Sequence, residues 1–174
     1  HTFVSSGPVL EFTVNGTIPG DVLKVSAGTT LSISARANGH YEQVPLRNLE
    51  IVAHGETIKR VELGDEGQSE GQMTIDLKLP VDHGIWIAAR CSAGVNQLAH
   101  TTPVYVTVDG GGFHNPRTTQ SYLDQSEAYL KDIEAELAQP GSRLDNQMWR
   151  YREGMEARIA ETRRVISNLR NTLF

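Results

Sequence analysis

The feature that most constrains this chain is a change in hydrophobic period near position 114. Before it, apolar residues recur every second position, as when alternate side chains of a strand face a core and solvent. After it, they recur at steps of three and four, the spacing of a helix face. A single packed layer cannot satisfy both periods, so the chain divides into residues 1–114 and 115–174. The first part holds all six histidines, seven basic and twelve acidic side chains; the second holds nine of each charge and only two glycines, Gly141 and Gly154.

In the first part, runs such as Val9–Val14 and Asp21–Val25 end at Asn15-Gly16 and Ala27-Gly28, which reads as strand then turn. The pattern continues through Leu31–Arg36, Leu46–Ala53, Glu56–Leu63, Met73–Leu79, Gly84–Cys91 and Pro103–Val108. Eight short strands without a long helix among them predict an antiparallel, Ig-like β-sandwich, with a barrel as the lesser option. Gly110-Gly111-Gly112 reads as a hinge into the second part.

There, Asn115-Pro116 suits a helix start, and Tyr122, Ser126, Tyr129, Ile133 and Leu137 mark one face of a helix ending before Gln139-Pro140-Gly141. A second helix starts at Ser142, with a seam of Leu144, Met148, Tyr151, Met155, Ile159, Thr162, Ile166, Leu169 and Leu173. The short connection predicts a two-helix antiparallel hairpin. The second helix is the longer, so Met155 and Ile159 are candidates for an interface with a second copy of the chain.

The net charge of −5 argues against nucleic acid as a partner, since no basic surface is available to neutralise phosphates. No apolar run approaches the roughly 18 residues of a membrane span. Cys91 is the only cysteine and forms no internal disulfide. Arg90 beside it could depress the thiol pKa, but a small buried hydrophobe is the plainer reading.

Metal sites of hydrolases draw histidines and carboxylates together, commonly with two ligands close in sequence. His40, His54, His83 and His100 show no such spacing and read as isolated. No Gly-x-Ser-x-Gly elbow surrounds Ser5, Ser6 or Ser92. The residues therefore predict no catalytic site, no metal and no cofactor in this chain.

Four blocks in order carry a resemblance: Thr2 to Leu10; Leu49-Glu50-Ile51-Val52 with Gly55; Ile85 to Cys91; and Ala99 to Val106. Over residues 2–109 the sequence resembles the C-terminal region of CehA/McbA-type metallohydrolases, a family similar to the PHP-type metal-dependent phosphoesterases. The resemblance implies a non-catalytic accessory sandwich that follows a catalytic domain of the same polypeptide. In that family the upstream domain, with clustered His and Asp, holds the divalent metals. The chain begins at His1 and reads as an excised or processed piece.

Trp86 and Arg90 stand four apart on one strand and project to one face, while Ile85, Ile87 and Ala89 project to the other. The Trp/Arg face fits either an interface or a buried Trp with Arg90 paired to a neighbouring carboxylate. The interface candidates of the sandwich are thus Phe3, Trp86, Arg90 and His100. A second reading is a free-standing binding module for a glycan or protein, dimerised through its helices, with Trp86, Tyr41 and Tyr105 as ring candidates.

Overall fold

A computed structural model describes residues 2–40, 42–139 and 152–173, in two compact units, 1–115 and 116–174. Tyr41, the start of the second helix and the Pro140-Gly141 connection lie outside the described residues.

The first unit is a β-sandwich of two sheets. The smaller is formed by β2 (Val9–Val14), β4 (Thr29–Asn38) and β7 (Gln72–Val81), all antiparallel in the order β2-β4-β7. The larger has β8 (Ile85–Ala93) at its centre, with β5 (Leu46–Ala53) and then β6 (Glu56–Glu62) on one side. On the other side β8 is shared by two short strands, β9 (Gln97–Thr101) and β10 (Val104–Val108). β1 (Phe3–Ser5) lies outside β9, and β3 (Val22–Val25) lies outside β10.

Eight strands are expected from the sequence and ten are present among the described residues. The additional ones are β1 and β9, short pieces whose side chains do not alternate cleanly between apolar and polar. The β3–β10 pair is parallel, an exception to the expected antiparallel pairing. β9 and β10 are two halves of one path along β8, interrupted at Thr102-Pro103. At this jog the Ala89 amide donates to the buried Thr101 Oγ1 at 3.1 Å, so a side chain supplies the acceptor that the ladder lacks.

Alternation fills the space between the sheets. Leu10, Phe12 and Val14 of β2, Leu31 and Ile33 of β4, and Met73 and Ile75 of β7 meet Leu49, Ile51, Ile87, Ala89, Cys91, Val104 and Val106 of the larger sheet. A fully buried side chain of this size contributes about 1.5–3 kcal/mol, which makes this layer the main source of stability. The β5–β6 turn uses His54 and Gly55 at φ of 50° and 89°. Two successive positive φ values define a tight hairpin matched to strand twist, and glycine takes the second position without strain.

The triple-glycine segment makes local contacts with the sandwich. The Gly111 amide bonds the Val108 carbonyl at 2.9 Å, and the Phe113 ring packs on Tyr105 at 4.8 Å. A Cβ on Gly84 would stand 1.7 Å from the Gly112 carbonyl oxygen, so only glycine admits this approach.

The second unit pairs α1 (Pro116–Ala138) with α2 (Arg152–Leu173). Ion pairs order them: Arg163 grips Glu134 with two bonds of 2.6 Å, and Arg170 reaches Glu127 at 3.0 Å and Asp124 at 2.7 Å. The partner number falls as the arginine number rises, so the helices are antiparallel. Their buried seam is Leu123, Leu130, Leu137, Ile159 and Ile166, with Ile133 and Met155 packed against it. Of the expected α1 face, Ile133 and Leu137 lie in the seam, while Tyr122, Ser126 and Tyr129 give way to Leu123 and Leu130. Leu123 and Leu130 are buried, whereas Tyr122 and Tyr129 stay exposed, because leucine has no polar atom to leave unsatisfied and a phenol keeps its hydroxyl in water. On α2, Arg163 and Arg170 sit at the seam's edge where Thr162 and Leu169 are expected, drawn there by the acidic residues of α1.

Candidate functional site

Three features of the sandwich bear on function, and the strand order places each. The first is a row across the outer face of the larger sheet: Arg60 on β6, Glu50 on β5, Arg90 on β8 and His100 on β9 are successive cross-strand partners. Glu50 lies on the outward face, yet its side chain is only 6% exposed. Its Oε1 accepts from Arg60 Nη1 at 2.9 Å and its Oε2 accepts from Arg90 Nε. Arg90 Nη2 also donates to Thr57 Oγ1 at 3.1 Å, and Arg60 pairs with Glu62 at 2.7 Å. Charge is balanced within the cluster, and a carboxylate held between two guanidiniums stitches three strands together. A depression of about 310 Å³ beside it is lined by Asn48, Ser92, Leu98 and His100 as well as Glu50 and Arg90.

The second feature lies four residues along β8, where Trp86 meets the β5–β6 and β7–β8 turns. The His54 ring stands edge-on to Trp86 and parallel to His83, with ring centres 6.0 Å apart in both cases. These two histidines, isolated in sequence, are therefore neighbours. His54 Nε2 donates to the Gly84 carbonyl at 3.1 Å. Burial, with the nearby His83 and His114, holds His54 below its ordinary pKa. His83 Nδ1 bonds the Asp82 carboxylate at 2.5 Å. One nitrogen of each ring is engaged locally, and among the described residues no three His, Cys, Asp or Glu side chains gather to hold a metal ion.

The third feature is the open edge between the sheets. A groove of about 320 Å³ runs between β1 and β2, lined by Phe3, Leu10, Phe12, Ile18, Pro19 and Thr101 among others. Phe3 is 41% exposed, and Val4, Val9, Ile18 and Val22 are also large apolar residues open to solvent.

The six candidates from the sequence thus fall in four places. Phe3 is in the edge groove; Arg90 and His100 flank the depression; Trp86 is half-buried against His54; Ile159 is buried and Met155 half-buried in the hairpin seam. Arg90 takes the carboxylate-paired arrangement. Cys91 faces the core, so alternation sends the Arg90 charge to the opposite side of the sheet, and burial pushes the thiol up to about 11. Glu50 is the functional-looking residue that sequence reading overlooked; the signal was a lone acid inside Leu49-Glu50-Ile51-Val52.

No protein-family model matches the chain, and no curated protein matches it. Solved structures do. The fibronectin(III)-like modules of Clostridium thermocellum CbhA align at 14% identity over 56% of this chain and 94% of that one, with a TM-score of 0.34. The CARDB domain of a Pyrococcus furiosus protein aligns at 12% identity over 58% and 96%, with a TM-score of 0.39. A chitin binding domain from Burkholderia pseudomallei aligns at 11% identity over 49% of this chain and 56% of that one, with a TM-score of 0.34. By its strand order and packed sheets, this chain's first unit is an Ig-like β-sandwich module.

Proposed function

We propose that this chain is a non-catalytic accessory module of a metal-dependent hydrolase, whose sandwich docks on the catalytic domain of the same polypeptide. The observation that carries the reading is the apolar edge around Phe3, Ile18 and Pro19 with its groove, placed beside β1. Exposed apolar residues gathered in this way mark interaction surfaces on proteins of this size. The four sequence blocks point to the same parentage. The direct test is calorimetric titration with Zn²⁺ and with Mn²⁺, paired with hydrolysis assays on p-nitrophenyl phosphate and acetate. No stoichiometric uptake and no turnover are expected; a stoichiometric ion with turnover overturns the reading. In the longer polypeptide, Phe3→Asp should make the junction between the domains more susceptible to limited proteolysis.

A second reading, a free-standing module that binds a glycan, is favoured by the rings on one part of the larger sheet. Trp86 and Tyr105 are cross-strand partners, and Phe113 packs on Tyr105. Glycan-array binding that disappears in Trp86→Ala would select it over the first.

A further inference from the structure

Three histidines that are far apart in the chain meet at one end of the sandwich. His54 belongs to the β5–β6 turn, His83 to the β7–β8 turn and His114 to the segment that leaves β10. The His54 and His83 rings stack with centres 6.0 Å apart, and His114 is near enough for its charge to act on His54. The segment Gly110–His114 lies against this end. Gly84 admits the Gly112 carbonyl oxygen where a Cβ would stand 1.7 Å away, and the Phe113 ring rests on Tyr105. The His114 ring folds back, so that a Cβ on Gly112 would meet its Nδ1 at 3.0 Å.

We propose that this segment is an acid-released strap, docked on the sandwich while the three imidazoles are neutral and swung away when they take up protons. The charges around His54 set the direction. The β7–β8 turn supplies His83 and Asp82, the strap supplies His114, and β8 supplies Trp86, which bears no charge. Glu56 on β6 and Asp109 at the end of β10 are exposed, and Asp109 accepts from the Ala27 amide at 3.3 Å. The Asp82 carboxylate is engaged by His83, so protonated His54 and His114 are left to repel each other. Burial is the main reason that His54 resists a proton; the Gly84 carbonyl favours the protonated ring, and His83 and His114 oppose it.

The strap is the part that yields. His54 and His83 sit in turns whose strands are paired within the sheets, β5 with β6 and β8, β7 with β4, and β8 with β5, β9 and β10. The strap lies outside these ladders and rests on the Gly111–Val108 turn bond and the Phe113 ring. Segments anchored in this way open before paired strands do. Swinging it away hydrates His54 and removes His114 from it, so the released state binds protons more readily than the docked one. Docking is therefore complete above the ordinary histidine value of about 6.5 and fades as pH falls through it. Residues 110–115 then become free chain, at most about 20 Å long, between the sandwich and α1.

Nitrogen-15 relaxation of the whole chain at about pH 7 and about pH 5 tests the proposal. Order parameters from Gly111 to His114 should stand near about 0.85 at the higher pH and fall below about 0.6 at the lower, while those of β5 and β8 hold. The fall should coincide with the titration of the His54 ring protons. In His54→Asn with His114→Asn the strap should stay ordered at both values. A wild-type strap that is equally ordered, or equally disordered, at both pH values overturns the proposal. So does a midpoint more than about one pH unit from that of His54, a fall that persists in the double variant, or a loss of order that extends to β8.

Discussion

The sandwich and the hairpin reach burial by different routes. In the sandwich 23 buried apolar side chains form one cluster between two sheets, and nearly every strand gives its inward face to it. In the hairpin, five buried side chains lie along one line, and ion pairs from Arg163 and Arg170 hold the helices in register beside them. A sheet packed on a sheet encloses a layer of side chains, whereas two helices enclose only a line of them.

The largest effect should come from the sandwich core. Ile87 is fully buried, and Ile87→Ala should cost about 4 kcal/mol in denaturant unfolding, against about 2 kcal/mol for Ile159→Ala in the thinner seam. Equal costs would erase the contrast. Next is the buried carboxylate: Glu50→Ala and Glu50→Leu should each cost about 2–3 kcal/mol, since either leaves two arginines without their shared partner, while replacing Glu50, Arg60 and Arg90 together by leucine should stay within about 1 kcal/mol of wild type. A severe loss in the triple variant would mean that the ion cluster, and not simple coverage of the strand, stabilises that face.

The hairpin ion pair should contribute less. A double-mutant cycle on Arg163→Ala and Glu134→Ala should give a coupling of about 0.5–1 kcal/mol, because both side chains are two-fifths exposed to solvent. Its dependence on salt separates it from the apolar seam. The smallest expected effect is that of His54. The folded chain holds this histidine below its ordinary value of 6.5, so the unfolded chain binds its proton more readily. Its stabilising effect is complete above that value and is lost as pH falls through 6.5 toward the depressed folded pKa. His54→Asn, which retains a residue that tolerates positive φ, should flatten the pH dependence of unfolding between about pH 7 and 5.

Much of the architecture was legible because its signal is local. The alternation in Ile85 to Arg90 sends isoleucines inward and Trp86 and Arg90 outward, as the strand period requires. β1 escaped notice because three exposed residues carry no pattern, and β9 because its pairing depends on β8. On α1 the expected face of Tyr122, Ser126, Tyr129, Ile133 and Leu137 runs into the buried seam only at Ile133 and Leu137, because periodicity alone does not rank a tyrosine against a neighbouring leucine. The site was less legible. His54 and His83 come from turns 29 residues apart, and Glu50 meets Arg60 and Arg90 only when three strands align, so chain order held no record of either meeting.

The jog between β9 and β10 also explains a piece of the text itself. A strand that changes neighbours halfway along needs a hydroxyl to answer the stranded amide of Ala89 and a proline to end the first pairing, and Thr101-Thr102-Pro103 spells out both needs. That spelling is a carpenter's joint rather than a tool. Chains that share the joint will carry the same letters whatever trade their neighbouring domains practise.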